Sequence, residues 1–291
     1  MIDPTKSEAK SRTFILKNAN SDDYDGLLKL FNLMCQLYGI WGMSREPDIE
    51  MSVKIGKEKI SYNRYAIPVV GAPAVTLNMI KKVLEGVDAP SQLLDVIKER
   101  HSKRIRMIVG YDYDSGGKRI YFHEGGQAYG YEFKDDSNFY VKNYTLVPKT
   151  DYPLVTKHFA QMGLQDEFIK TFLQILPFES WSQVCERKNP LVNKENMIGY
   201  HLSSSRKVTI NEIGRNISKL MGLINTGLDK REFDLWLQKN EDSYLSWIGI
   251  AANKNSEAEV TLYIRPDAEN WDERYQPNDF ISFFGMEIMN M

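Results

Sequence analysis

Five times along this 291-residue chain, two β-strand patterns follow each other closely, and in most pairs one strand face carries Arg, Lys or Tyr where a core would carry Val or Leu. Glu259-Val-Thr-Leu-Tyr-Ile-Arg265 shows it most clearly, with Val260, Leu262 and Ile264 on one face and Thr261, Tyr263 and Arg265 on the other. An antiparallel sheet with one wet face alternates in this way, but its wet side usually carries Thr, Ser and Glu rather than cations and phenols. Repeated on several hairpins, the pattern points to a polar interior that holds an anion.

The pairs fall at residues 50–56 and 59–67, 104–112 and 118–123, 129–134 and 138–147, 178–187 and 196–203, and 244–251 and 258–265. Glycine-bearing turns such as Asp114-Ser-Gly-Gly117 separate strands within pairs. Helical spacing appears at 25–38 behind Ser21-Asp22-Asp23, at 74–84, 91–100 and 151–162, and at 165–176 with Phe168, Ile169, Phe172, Leu173 and Leu176 on one side. Thr209-x-x-Glu212 has the form of a capping box for a helix carrying Ile213, Ile217, Leu220, Met221 and Ile224, and Asp229-x-x-Glu232 marks the next start. Hairpins alternating with helices fit an α+β domain, either layered or a barrel ringed by helices. A closed antiparallel barrel accounts better for the polar face, because closure removes the edges and creates a lumen. No linker divides the chain, so residues 1–291 are expected to form a single domain, with 1–20 and 267–291 as terminal extensions. Phe280-Ile-Ser-Phe-Phe284 in the second extension is apolar enough to pack on the barrel or close a mouth.

Composition removes several functional classes. A formal charge of −2 lacks the basic excess of a general nucleic-acid binder. No apolar run approaches the roughly 18 residues of a membrane span, and the polar N-terminus has no secretory h-region, so the expectation is a cytoplasmic protein. Cys35 and Cys185 are too few for a disulfide framework and are expected to be free thiols. His101, His123, His158 and His201 form no metal-ligand pair, Gly125-Gly-Gln-Ala-Tyr-Gly130 opens no helix, and Walker and Gly-x-Ser-x-Gly motifs are absent. Asp22-Asp23-Tyr24-Asp25 fits a helix start, where carboxylates favour the dipole.

The remaining constellation is cationic and phenolic. Arg64, Arg119, Lys142 and Arg265 lie on different strand pairs, while Tyr144 and Tyr263 stand two residues from Lys142 and Arg265 and share their faces. Such a set suits a diphosphate, since guanidinium and ammonium groups neutralise its charge and phenols add hydrogen bonds. The plain alternative for any one of these cations is the solvated outer face of an ordinary sheet.

Against this background, Glu50-Met-Ser-Val-Lys-Ile55 with Lys59-Ile-Ser-Tyr-Asn-Arg64, Met197-Ile-Gly-Tyr-His-Leu202, Tyr244-Leu-Ser-Trp-Ile-Gly-Ile-Ala251 and Val260-Thr-Leu-Tyr-Ile-Arg265 resemble strands of the cyanobactin prenyltransferases. These are peptide-modifying members of the ABBA aromatic prenyltransferase group, and the resemblance spans roughly residues 50 to 265 in order. It implies a ten-stranded antiparallel barrel with outer helices, an isoprenyl diphosphate donor (dimethylallyl or geranyl), a peptide acceptor, linear or macrocyclic, and magnesium carried by the diphosphate. Glu50 matches the family's acidic position beside the acceptor and is the candidate base. Arg64, Arg119, Lys142, Tyr144, Tyr263 and Arg265 would bind diphosphate. Tyr121, Cys185, Tyr200, His201 and Trp247 would line the prenyl or acceptor pocket; strand phase leaves open which of Tyr200 and His201 faces inward, and either Cys185 or Val184 falls where the family lines the end of the prenyl pocket. The family's helix between the second and third strand pairs has only residues 124 to 128 available here, so either that repeat is trimmed or the strands end elsewhere than the alternation places them. Two other readings stand beside this one: a small-molecule aromatic prenyltransferase, and a noncatalytic β-barrel that binds an anionic amphiphile.

Overall fold

A computed structural model describes residues 4–19, 21–40, 49–68, 77–100, 106–112, 116–124, 127–135, 138–147, 153, 156, 159–160, 163–175, 180–188, 197–204, 208–224, 230–252 and 258–266. All ten expected strands are present: β1 Glu50–Ile55, β2 Ile60–Pro68, β3 Arg106–Asp112, β4 Gly117–Glu124, β5 Gln127–Asp135, β6 Asn138–Val147, β7 Ser180–Lys188, β8 Met197–Ser204, β9 Tyr244–Ala252 and β10 Ala258–Arg265. The helices are α1 Pro4–Asn18, α2 Ser21–Ile40, α3 Leu77–Gly86, α4 Ser91–Arg100, α5 Asp166–Ile175, α6 Ile210–Ile224 and α7 Lys230–Lys239. The fold is thus a mixture of helices and antiparallel sheet. Residues 153, 156, 159 and 160 are helical within the expected 151–162 segment. The segment 267–291, with Phe280-Ile-Ser-Phe-Phe284, and the cap residue Asp229 lie outside the described residues.

Two compact units are distinguished, one made of Met1–Met51, Asn63–Tyr144 and Lys188–Lys194, the other of Ser52–Tyr62, Thr145–Arg187 and Glu195–Met291. In the first, β2, β3, β4 and β5 run as an antiparallel meander. One face of it is apolar: Tyr65, Ile67, Val109, Ile120, Phe122, Tyr131 and Phe133 are all buried. Phe122 meets Tyr131 edge to face at 5.9 Å, and burial of each such side chain contributes about 1.5–3 kcal/mol. The β3–β4 turn is closed by Gly116 at φ 67°, the left-handed conformation that glycine adopts without strain. β4 passes to β5 with Glu124 opposite Gln127, so no helix intervenes between the second and third strand pairs, as the short spacer implies.

Helix α1 was not anticipated, because its apolar residues form one short run rather than a helical stripe. Phe14 and Ile15 from that run are buried. Arg12 ties α1 to α2, donating from Nη2 to Asn32 Oδ1 at 2.8 Å and lying 5.4 Å from the centre of the Phe31 ring. Helix α3 ends with Asp88 at φ 49°; Ala89 N–H donates to Leu84 O and Asp88 N–H to Glu85 O, a Schellman closure in which an aspartate takes the usual glycine position.

In the second unit, β7, β8, β9 and β10 form another antiparallel meander. Strand β10 alternates as its sequence predicts, with Val260, Leu262 and Ile264 buried and Thr261, Tyr263 and Arg265 partly exposed. Helix α6 opens with the expected capping box: Glu212 N–H donates to Thr209 Oγ1 at 3.3 Å, and Thr209 N–H donates to Glu212 Oε2 at 2.7 Å. Ile213, Ile217, Leu220 and Met221 form its buried stripe. On α7, Phe233 stacks on Trp236 at 5.8 Å, and Trp236 meets Tyr62 of β2 at 6.2 Å.

Candidate functional site

The second face of the β2–β5 meander is polar, and it is buried as well. Residues directly opposite on paired strands share a face, so the pairs Arg64↔Asp112, Gly110↔Arg119 and Arg119↔Glu132 put four charged residues from four consecutive strands on one side. Arg64 and Arg119 are each 6% exposed and Asp112 is 8% exposed. Such burial disfavours an isolated ion strongly, so charges held there must be matched.

The match is made through one oxygen. Arg119 Nη2 donates to Asp112 Oδ2 at 2.8 Å, and Arg64 Nε lies 3.2 Å from that same Oδ2. On its other side Arg119 Nε stands 3.8 Å from Glu132 Oε1. Gly110 lies beside the pair: a Cβ there would come 3.2 Å from Tyr65 O, a tight approach, and 3.5 Å from Arg119 Cβ, an ordinary contact. Two guanidiniums that would repel each other therefore both lie against one carboxylate oxygen, Arg119 hydrogen-bonded to it and Arg64 ion-paired with it. Each guanidinium carries five N–H donors, so it can serve a carboxylate and a multi-oxygen anion together.

Arg64 and Arg119, expected on the same interior face, are thus brought together. Tyr121 lies two residues from Arg119 on that face, opposite Gly130, and is partly buried. Lys142 and Tyr144 lie on β6; their side chains fall outside the described residues. Glu50 is the first residue of β1 and is 9% exposed. It shares strand parity with Ser52 and Lys54.

In the second unit, Lys54 Nζ pairs with Glu259 Oε2 at 2.7 Å. Tyr263 stands opposite Trp247 and Thr261 opposite Gly249; a register shift follows between Tyr263 and Ile264, and Arg265 then faces Tyr244. The pairing register also assigns Tyr200, His201, Val184 and Cys185 to cross-strand rows. His201 is opposite Gly249, in the row of Thr261, whereas Tyr200 is opposite Ile250, in the row of buried Val260. Cys185 is opposite Gly199, itself opposite Ala251 in the row of Glu259, whereas Val184 belongs to the Tyr200 row. Sequence reasoning missed Asp112 and Glu132, the acids that set the arginines.

Magnesium finds no protein cage in this donor set. Asp112 Oδ2 is engaged by both arginines and Glu132 faces Arg119; among the described residues no three His, Cys, Asp or Glu side chains gather as ligands. Among those residues, no helix is long and apolar enough to cross a membrane.

No protein-family model matches the chain, and no curated protein matches it. Solved structures do. The chain is similar to 5-dimethylallyltryptophan synthase from Streptomyces coelicolor, with a TM-score of 0.62 and 10% identity over 89% of this chain and 95% of that one. It is similar to prenyltransferase PriB in its ternary complex with L-tryptophan and dimethylallyl thiolodiphosphate, with a TM-score of 0.58 and 10% identity over 89% and 95% of the two chains. AnaPT from Neosartorya fischeri gives a TM-score of 0.58 and 11% identity over 90% and 92%. Similarity over nearly the full length of each shows a shared fold, that of the ABBA-type aromatic prenyltransferases.

Proposed function

We propose that the chain is a prenyltransferase, one that moves an isoprenyl group from its diphosphate to a nucleophilic acceptor on a closed ten-stranded barrel. The observation that carries this reading is the pair of buried guanidiniums, Arg64 and Arg119, fixed on the polar face of a sheet that has the prenyltransferase fold. PriB, with this fold, binds a dimethylallyl thiolodiphosphate, which supports an allylic diphosphate donor here.

In this reading Arg64 and Arg119, joined by Lys142 and Tyr144 of β6, take the diphosphate. The same reading assigns to it Tyr263 and Arg265, which share a face of β10. Fixed cationic donors stabilise the charge that develops as the allylic C–O bond breaks and its electron pair leaves with the diphosphate. The acceptor nucleophile attacks the resulting cation, Glu50 takes the proton released, and phenol and indole faces such as Tyr121 and Trp247 keep water away. Magnesium would enter with the diphosphate rather than on protein carboxylates, and no step is assigned to it.

The acceptor we infer is an aromatic or other nucleophilic side chain of a peptide, following the cyanobactin-type strand motifs. A free aromatic compound is the second reading, supported by the L-tryptophan bound in PriB. Incubation with dimethylallyl or geranyl diphosphate and either cyclic peptides or free tryptophan, followed by mass spectrometry, tests both. Prenyl mass on a peptide supports the first reading and prenyl mass on tryptophan alone supports the second. Addition to neither class, with diphosphate still bound, favours a noncatalytic barrel.

A further inference from the structure

Asp112 has no place in the chemistry just described, yet it is the contact point of the arginine pair. Its Oδ2 lies 2.8 Å from Arg119 Nη2 and 3.2 Å from Arg64 Nε, and it stands opposite Arg64 on the neighbouring strand. Glu132, opposite Arg119, adds a second acid 3.8 Å from Arg119 Nε. Two arginines and two acids bring the four-residue set to zero formal charge, a poor composition for capturing a polyanion by charge alone. Acids placed only to attract a diphosphate would be counterproductive here. Acids placed to orient guanidiniums would not.

Resting on the prenyltransferase reading, we propose that Asp112 is a positioning residue. Its shared carboxylate oxygen holds the guanidiniums of Arg64 and Arg119 beside each other before the donor arrives, so that both are already in place when the diphosphate binds. Geometry, more than net charge, then sets diphosphate affinity. Long flexible cations lose rotamer freedom when they close on a ligand, and a carboxylate that has already ordered them removes that cost from binding.

Orientation and electrostatics make opposite predictions for Asp112→Asn. This substitution raises the charge of the set by one, so attraction alone would tighten binding of an anion, whereas loss of orientation weakens it. Inorganic pyrophosphate, titrated calorimetrically into the full chain, is the probe, with a thermal melt to verify folding. The expected result is pyrophosphate binding weakened about ten-fold despite the added positive charge, together with a raised KM for dimethylallyl diphosphate and an unchanged KM for the acceptor.

Asp112→Glu is the second variant. It retains the charge and displaces the carboxylate by one methylene, so it also weakens pyrophosphate if position is what matters, and it decides alone where Asp112→Asn fails to fold. Folded variants that bind pyrophosphate as tightly as the wild type, or more tightly, overturn the inference and leave the functional reading intact. A wild-type chain that binds no pyrophosphate overturns both.

Discussion

Glu50 and Asp112 are both buried acids on the polar side of strands, and they are assigned opposite work. Asp112 touches two cations and acts through them, whereas Glu50 is assigned to the acceptor. Glu50→Gln therefore separates turnover from donor binding. It is expected to lower kcat by on the order of 10²–10⁴, the usual contribution of a positioned general base, while the calorimetric affinity for pyrophosphate stays within two-fold of wild type, about 0.4 kcal/mol. A parallel loss of pyrophosphate binding would move Glu50 out of the base role and into the support of the anion site. At this scale the sequence exposed the cations and hid their partners. Arg64 and Arg119 stand out because arginine interrupts an apolar alternation. Asp112, two residues before Asp114-Ser-Gly-Gly117, looks like part of the turn. Only the cross-strand register, Arg64↔Asp112 and Arg119↔Glu132, reveals a shared face.

Elements were legible where a local rule decides them. Period-two alternation bounded by turn residues located every strand to within two residues, and the box Thr209-x-x-Glu212 located the start of α6, because both signals are written within a few positions of the chain. The box is reciprocal: Thr209 accepts from Glu212 N–H, and the Glu212 carboxylate accepts from Thr209 N–H. Thr209 also bridges to Tyr244 at the start of β9, and Ile210 N–H donates to Ser243 O, so the cap joins helix to sheet. Thr209→Ala should cost about 1 kcal/mol and lower the thermal midpoint without changing pyrophosphate affinity. A melt indistinguishable from wild type would show that the sheet contacts hold this helix end without the hydroxyl. Helix α1 escaped detection for the converse reason. Its buried residues, Phe14 and Ile15, are adjacent in sequence, and its support comes from tertiary contacts such as Arg12 with Asn32 and Phe31, which no local pattern encodes.

Across the whole molecule, the alternation predicts which residues share a face, but the pairing register decides which faces line up from strand to strand. The register shift between Tyr263 and Ile264 shows why periodicity alone falls short there, since one extra residue on β9 restores a match that strict alternation would break. Register also bears on which donor length the proposed site would take. Cys185, Gly199 and Ala251 stand opposite one another on three consecutive strands, ending beside Glu259, and all three residue types are small. If this row lines the proposed prenyl pocket, three small residue types in it would suit a chain longer than dimethylallyl. Filling the row from its outer member tests the idea. Cys185→Phe should reduce kcat/KM for geranyl diphosphate by about 10–100-fold, in line with the few kcal/mol that overfilling a packed apolar site costs, while leaving kcat/KM for dimethylallyl diphosphate within a few-fold of wild type. Equal losses with both donors would place Cys185 away from the end of the prenyl chain, and the row would then be small for the sake of close strand packing alone.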